Sequence, residues 1–422
     1  MRRLVPAVSL ALASACAVTP PQTLDPATRE SLGRIAVVAV DRPPKVELAG
    51  IPSGKGSGAA SGAAEAGAQC LGSFGSGAAG CSGIGCAGVV LLIAVVCPAA
   101  AVAGGIMGAS TAPASDTFDA GRARLEQAAA PAALQLGLRE QVAHWARTEL
   151  GARYVELADP AARLAAPKAD YRALGALGVG CVLEASVEDL RLESIGGRGG
   201  DPSVVMTARV RIVRTADASV AYDEAIRFYG GRRKLADWVA DEARPLQADI
   251  ELAYAELGRA IVERAFFVYP FPGHAQGAEQ LKPYGLAARS YAGGGWRMFL
   301  PGTQWPKVDS LTPLLAWEPF PRASDRAAKP ADMARVANVG YDLVIAREQN
   351  LAAARVVYRR EGLATPEHRV EAPLEPGRRY LWTVRARFEL DGRAYLTDWA
   401  RTGPSSEVLV APSLVSYSFS TP

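Results

Sequence analysis

Histidine is scarce, with three among 422 residues. His144 sits beside Trp145, His274 lies in a Pro- and Gly-rich stretch, and His368 begins a strand-like run. None has a Cys or carboxylate at ligand spacing, so no metal motif can be assembled from them. A serine in a nucleophile elbow and a phosphate-binding loop are also missing. Gly83-Ile84-Gly85-Cys86-Ala87-Gly88 has the spacing of a dinucleotide fingerprint. No strand leads directly into it and no acid follows at the required distance, which excludes that reading. Asp237, Asp241 and Glu242 stand where the dipole of a helix start favours acids, and nothing marks them as the paired carboxylates of a glycosidase. The sequence therefore names no catalytic, cofactor-binding or metal-binding residue, and no cofactor is expected.

A basic excess is lacking too. Forty-six Lys and Arg against 43 Asp and Glu leave a net charge of +3. No basic stripe is interleaved with aromatics, so nucleic acid is not an expected partner. Arg232-Arg233-Lys234 reads as a solvated loop. Trp296, Trp305 and Trp317 could form a sugar platform, but tryptophans near a Pro-rich connector more often pack on their own domain.

Charge vanishes from Ala66 to Ser115, where there is no Asp, Glu, Lys or Arg. That is abnormal for a water-facing surface. Ile84 to Ala109 is nearly all apolar and as a helix would measure ~39 Å, enough for a hydrocarbon core of ~30 Å. Pro98 and several glycines argue against a plain span, and Val89 to Val96 does not alternate as a porin strand would. Small residues recur every fourth position at Gly72, Ser76 and Gly80, and again at Gly104 and Gly108. This pattern resembles glycine-zipper segments, which implies close helix packing in lipid or between subunits. A buried hairpin and a flexible linker remain alternatives.

Cys70, Cys81, Cys86 and Cys97 all fall in this insert. In an oxidising compartment they favour two disulfides. Their spacing is symmetrical about Gly83, so an antiparallel hairpin would pair Cys70 with Cys97 and Cys81 with Cys86, one of three possible connectivities. Zinc is the rival reading, disfavoured by the absence of His, Asp or Glu nearby. Cys181 lies in an apolar strand and reads as a core thiol.

The compartment is suggested by the first residues. Arg2 and Arg3 precede the apolar run Leu4 to Ala13, and Ser14-Ala15 leads into Cys16, the order of a secretory leader. Leu12-Ala13-Ser14-Ala15-Cys16 resembles the lipobox of bacterial lipoproteins, although the large apolar residue stands one place further out than usual. The resemblance implies acylation of Cys16 and attachment to the envelope, with Ala17 leaning towards the outer membrane. An ordinary leader cut near Ala15 or Ala17 is the alternative.

Two folded regions follow from the periodicities. Arg34-Ile-Ala-Val-Val-Ala-Val40 predicts a buried strand. Phe118 to Leu150 predicts helix with a break at Pro131. Val179 to Leu192 alternates and then slips phase, which predicts a bulged strand. Ser203 to Arg214 and Ser219 to Phe228 predict a hairpin, and Leu235 to Phe267 a long helix with Leu246, Ile250, Ala253, Leu257 and Ile261 on one stripe. This order resembles the periplasmic domain shared by the curli-secretion lipoprotein and the N-terminal domain of the TolB translocation protein.

Beyond a Pro- and Gly-rich connector, short strands separated by turns continue to the end. Trp317, the corner motif Leu374-Glu-Pro-Gly-Arg-Arg-Tyr380, and Val384 and Ala386 resemble a fibronectin type III domain. That resemblance implies a sandwich used for binding or spacing.

The expected architecture is α+β and multidomain. A signal peptide (1–15) and lipidated linker (16–32) lead to a mixed-sheet α/β domain (33–268) with a Gly-rich apolar insert (52–115). A connector (269–307), an all-β fibronectin III-like sandwich (308–412) and a tail (413–422) follow. The expected role is that of a non-enzymatic, membrane-anchored scaffold with an envelope protein or polymer as partner and homo-oligomers as a further possibility. The alternatives are an oligomeric secretion component and, third, an enzyme on envelope polymers.

Overall fold

A computed structural model describes residues 22–57, 59–60, 63–64, 66, 101–102, 112–194, 201–271, 288–289, 305–348, 354–401, 408–410 and 416–422. Among the described residues the two larger hydrophobic cores are separate, one built from residues 24–266 and the other from residues 269–419, and a third, smaller cluster lies on the far face of the first sheet. The chain is an α+β protein of more than one domain, with a mixed sheet first and antiparallel sheets after it.

The first domain begins with a helix, α1 (Pro26–Ser31), capped by the Asp25 side chain on the Thr28 amide. Strand β1 (Ile35–Val40) is buried at every residue because both its faces are covered. Ile35 and Val37 meet the long helices, and Ala36 and Val38 meet a smaller cluster with Tyr171 and Val182. Strand β2 (Lys45–Ala49) follows it in sequence, and β5 (Cys181–Glu193), later in the chain, lies beside it. Both β1 and β2 pair in parallel with β5, one after the other along the same edge. β6 (Ser203–Arg214) and β7 (Val220–Arg232) complete the sheet as an antiparallel meander. The two-residue strands β3 (Tyr154–Val155) and β4 (Leu164–Ala165) add to the other edge of β1. A short helix, α4 (Arg172–Gly175), precedes β5.

The predicted helix break falls at Pro131, between α2 (Ser115–Ala128) and α3 (Pro131–Leu150). The phase slip in β5 is a bulge between Val187 and Asp189. Gln135 of α3 fits into it, taking the Val187 amide on its carbonyl (2.7 Å) and donating to the Val187 and Arg42 carbonyls (2.9 and 2.7 Å). The bulge thus keeps its buried backbone groups bonded.

Helix α5 (Leu235–Phe266) buries the predicted stripe, Leu246, Ile250, Ala253, Leu257 and Ile261. It approaches α3 closely at Gly258, where a Cβ would meet Gln141 and the Val142 amide at 2.8 to 3.0 Å. The helix is not continuous. Asp241, Glu242 and Ala243 are all left-handed, with φ of 50°, 59° and 63°. Pro245 supplies the reason, since its ring excludes the carbonyl four residues back, on Asp241.

The second domain is a sandwich. One sheet orders β10 (Ala354–Leu363), β9 (Val336–Glu348), β12 (Arg379–Leu390) and β13 (Arg393–Leu396), with β15 (Tyr417–Ser420) also on β12. Facing it is the pair β8 (Leu314–Ala316) and β11 (Glu367–Arg369). Trp317 and Trp382 are fully buried between the sheets. The Tyr380 hydroxyl takes the Glu375 amide at 2.9 Å and reaches the Glu375 carbonyl at 3.4 Å, which is a tyrosine corner. The long segment from Arg322 to Asn338 folds into two short helices, α6 (Ala323–Ala328) and α7 (Pro330–Met333).

Two expectations about the chain's end need correction. The segment expected as a tail (413–422) holds β15 from Tyr417 to Ser420, a partner of β12, and the Pro422 carbonyl accepts the Gly377 amide. The region 308–412 is not confined to its own domain, since β14 (Val408–Leu409) pairs with β7 of the first sheet.

Candidate functional site

The domains are not beads on a connector. The C-terminal half of α5 carries Glu256, Arg259, Glu263 and Arg264 at steps of one, three and four residues, which puts them along one side of the helix. Against this side lies the outer face of the sandwich sheet. Arg385 of β12 holds Glu263 with two bonds, each 2.7 Å, and Asp342 of β9 with a third at 2.9 Å. Arg387 adds a bond of 3.1 Å to Asp342. Arg259 bridges Glu263 at 2.8 Å and Glu361 at 2.6 Å, and Arg359 reaches Glu256 at 3.1 Å. The Arg385 guanidinium also stands 4.3 Å from the centre of the Trp399 ring. Cations and carboxylates alternate through the seam.

Burial alone pushes the Glu263 carboxyl up, but Arg385 and Arg259 more than offset it and hold it at about 2. Asp342 is likewise buried, and Arg385 and Arg387 hold it below the usual carboxylate range. Carboxylates held this low make poor general bases near neutrality. The cleft lined by Glu256, Arg259, Glu263, Arg264, Arg385 and Asp398 measures about 30 Å³. A water needs ~10–15 Å³ and a small-molecule site ~300–1,000 Å³, so this cleft suits a water or an ion. The arrangement is a clamp.

A second part of the clamp involves the segment ahead of β1. The Gln22 amide donates to Glu224 at 3.0 Å, and the Gln22 side-chain oxygen takes the Asp223 amide at 3.2 Å. Glu224 also receives the Tyr222 hydroxyl (2.6 Å) and Arg264 (3.2 Å), and Arg264 goes on to Asp398 of the second domain at 3.2 Å. Arg29 of α1 is buried and donates to the Val268 carbonyl, and Glu30 pairs with Arg393 of β13. Burial lowers Arg29 to about 10. Residues 22–32 thus touch both domains.

Of the residues singled out from sequence, Cys16, Cys70, Cys81, Cys86 and Cys97 lie outside the described residues, as do His274 and Trp296. Cys181 is a free, fully buried thiol, pushed up to about 12 chiefly by burial. His144 is exposed beside Trp145, and His368 Nε2 lies 2.6 Å from the Tyr358 hydroxyl. Trp317 is core, while Trp305 is covered by Arg379 at 5.3 Å. Asp241 and Glu242 are exposed at the α5 kink, where Glu242 lines an open groove of about 480 Å³ with Arg124 and Gln127. Among the described residues no helix is long and apolar enough to cross a membrane. Sequence reasoning missed the seam, because an arginine on an alternating strand looks the same whether water or a second domain faces it.

No family model matches the chain, and no curated protein does. Among solved structures it is similar to the protein XCC0632 from Xanthomonas campestris, described by the family model DUF330, at 13% identity and a TM-score of 0.19. That match covers 30% of this chain and spans 56%, about half, of the other. A PelC dodecamer from Paraburkholderia phytofirmans is similar at 13% identity and a TM-score of 0.18, covering 30% of this chain and 73% of that one. The hypothetical protein CT253 from Chlamydia trachomatis is similar at 16% identity and a TM-score of 0.22, covering 31% and 81%.

Proposed function

We propose that this protein is a non-enzymatic lipoprotein of the bacterial envelope. In this reading acylated Cys16 holds it to the outer membrane, and it serves as a scaffold for an envelope protein or polymer. The observation that carries the reading is the docking of residues 22–32. A segment that merely linked an anchor to a mobile body would be free of it, whereas Gln22 and Arg29 are bonded into the junction of both domains. Position set at the anchor is therefore passed to the whole body. The clamp of paired charges supports a passive role, because its carboxylates are committed to arginines and its cleft has no room for a substrate.

Extraction of the native protein, crosslinking and mass spectrometry test this directly. The expected N-terminal peptide begins at Cys16 and carries acyl chains, and the crosslinks lead to envelope components. Recovery of a freely soluble protein with Met1 retained and an unmodified Cys16 thiol would overturn it.

A further inference from the structure

Three arginines gather at the end of the first domain where β1 and β5 begin. The Arg34 carbonyl takes the amides of Gly180 and Cys181, and its guanidinium lies beside Gly178. Arg153 donates to the Gly33 and Arg29 carbonyls at 3.3 and 2.9 Å, and Arg214 to the Ser31 hydroxyl at 3.2 Å. Their bonds go to the backbone and a hydroxyl of the docked segment. Among the described residues none of the three forms an ion pair. Arg153 and Arg214 also act together on the Cys181 thiol beneath them. Asp217, in the adjoining turn, is bound to the Ser219 amide and hydroxyl at 2.9 and 2.6 Å and lies in the field of Arg214.

Apolar side chains stand exposed at the same end. Leu177 is 64% exposed at the tip of the uncharged stretch 175–178, and Val220 is 44% exposed at the start of β7. A surface that offers unpaired arginines around a projecting leucine suits the boundary between phosphate headgroups and acyl chains.

The anchor reaches this end. Gln22 is fixed to Asp223 and Glu224, three residues or roughly 10 Å along β7 from Val220. Five residues lie between Cys16 and Gln22, so the six steps reach at most ~20–22 Å. We infer that this end of the α/β domain rests on the bilayer, with Arg34, Arg153 and Arg214 on the phosphates of anionic phospholipid and Leu177 at the interface. The inference builds on the membrane-anchored reading above.

Flotation of the full-length chain carrying Cys16→Ser, so that no acyl chain contributes, provides the test. The probes are phosphatidylethanolamine vesicles with and without phosphatidylglycerol. Binding is expected to require phosphatidylglycerol and to weaken as salt rises. Arg34→Gln should weaken it about five-fold, and joint replacement of Arg34, Arg153 and Arg214 by Gln on the order of 100-fold. Leu177→Ser should cost roughly ten-fold. Arg153 and Arg214 also hold the docked segment, so thermal melting accompanies the triple variant. Arg34→Gln and Leu177→Ser break no such bond and must each weaken binding by themselves. Binding indifferent to phosphatidylglycerol, or unchanged in these two single variants, would overturn the inference. The mass of the wild-type N-terminal peptide reports separately on the anchor. An unacylated wild type whose Cys16→Ser form still needs phosphatidylglycerol sinks only the anchor. An acylated wild type whose Cys16→Ser form ignores it sinks only this surface.

Discussion

Arg385 on the sandwich and Glu263 on the long helix of the α/β domain face each other through two bonds of 2.7 Å, both side chains almost out of water. Removing Arg385 takes three bonds from Glu263 and Asp342 and leaves these carboxylates to Arg259 and Arg387 alone, at a cost of about 3 kcal/mol. Arg385→Met is therefore expected to lower the unfolding free energy, measured with urea, by that amount and to separate unfolding into two transitions, one for each domain. Replacing both residues with apolar ones should recover much of the loss. A single variant that unfolds like wild type would show that the seam does not couple the domains.

Acid tests the same seam from the other side. Glu263 and Asp342 are held below their ordinary values, so their contribution is complete above the unfolded carboxylate range and disappears as pH falls through the folded value, about 2 for Glu263. Near-neutral to mildly acidic buffers should leave the domains joined. Domain separation, followed by small-angle scattering or crosslink yield across the seam, is expected only below about pH 4.

Asp249 predicts the opposite sign. It is buried on α5, accepts the Gly231 amide at 3.0 Å, and is raised above the usual range mainly by burial. A raised carboxyl stabilises below its unfolded value and loses that contribution as pH rises. Asp249→Asn keeps an acceptor for Gly231 and removes the buried charge. Its melting temperature should exceed that of wild type at pH 7, with the gap closing towards pH 4.

At Gly258 the limit is steric. A methyl group there would press on the backbone of α3, which has nowhere to move. Gly258→Ala should destabilise by about 1–3 kcal/mol, despite the better helix propensity of alanine. Chemical denaturation gives the answer.

Tyr380→Phe removes the hydroxyl that holds the Glu375 backbone while leaving the ring stacked on Phe419. A loss of about 1–2 kcal/mol is expected, confined to the sandwich. Near-ultraviolet circular dichroism during denaturation reads it.

Several of these features were legible in the residues. Pro131 marked a helix break and the slip after Val187 marked a bulge. Tyr380 announced its corner. Short and half-buried elements were not legible. β2 has five residues and follows two prolines, too brief for alternation to register. The kink in α5 uses no glycine at its left-handed positions, and Pro245 was the one signal for it. The seam stayed hidden because its charges come from α5, β9, β10 and β12, which only folding brings together.

The path of the final residues limits how the molecule can be divided. After β13 the polypeptide leaves the sandwich, lays β14 beside β7, and only then returns to place β15 on β12. An excised sandwich would bring along an edge segment belonging to its neighbour, and an excised first domain would leave that length of β7 bare. Because β14 stands between β13 and β15 in sequence, the sandwich sheet is joined to β7 on both sides of that excursion, and the two folds share one covalent path.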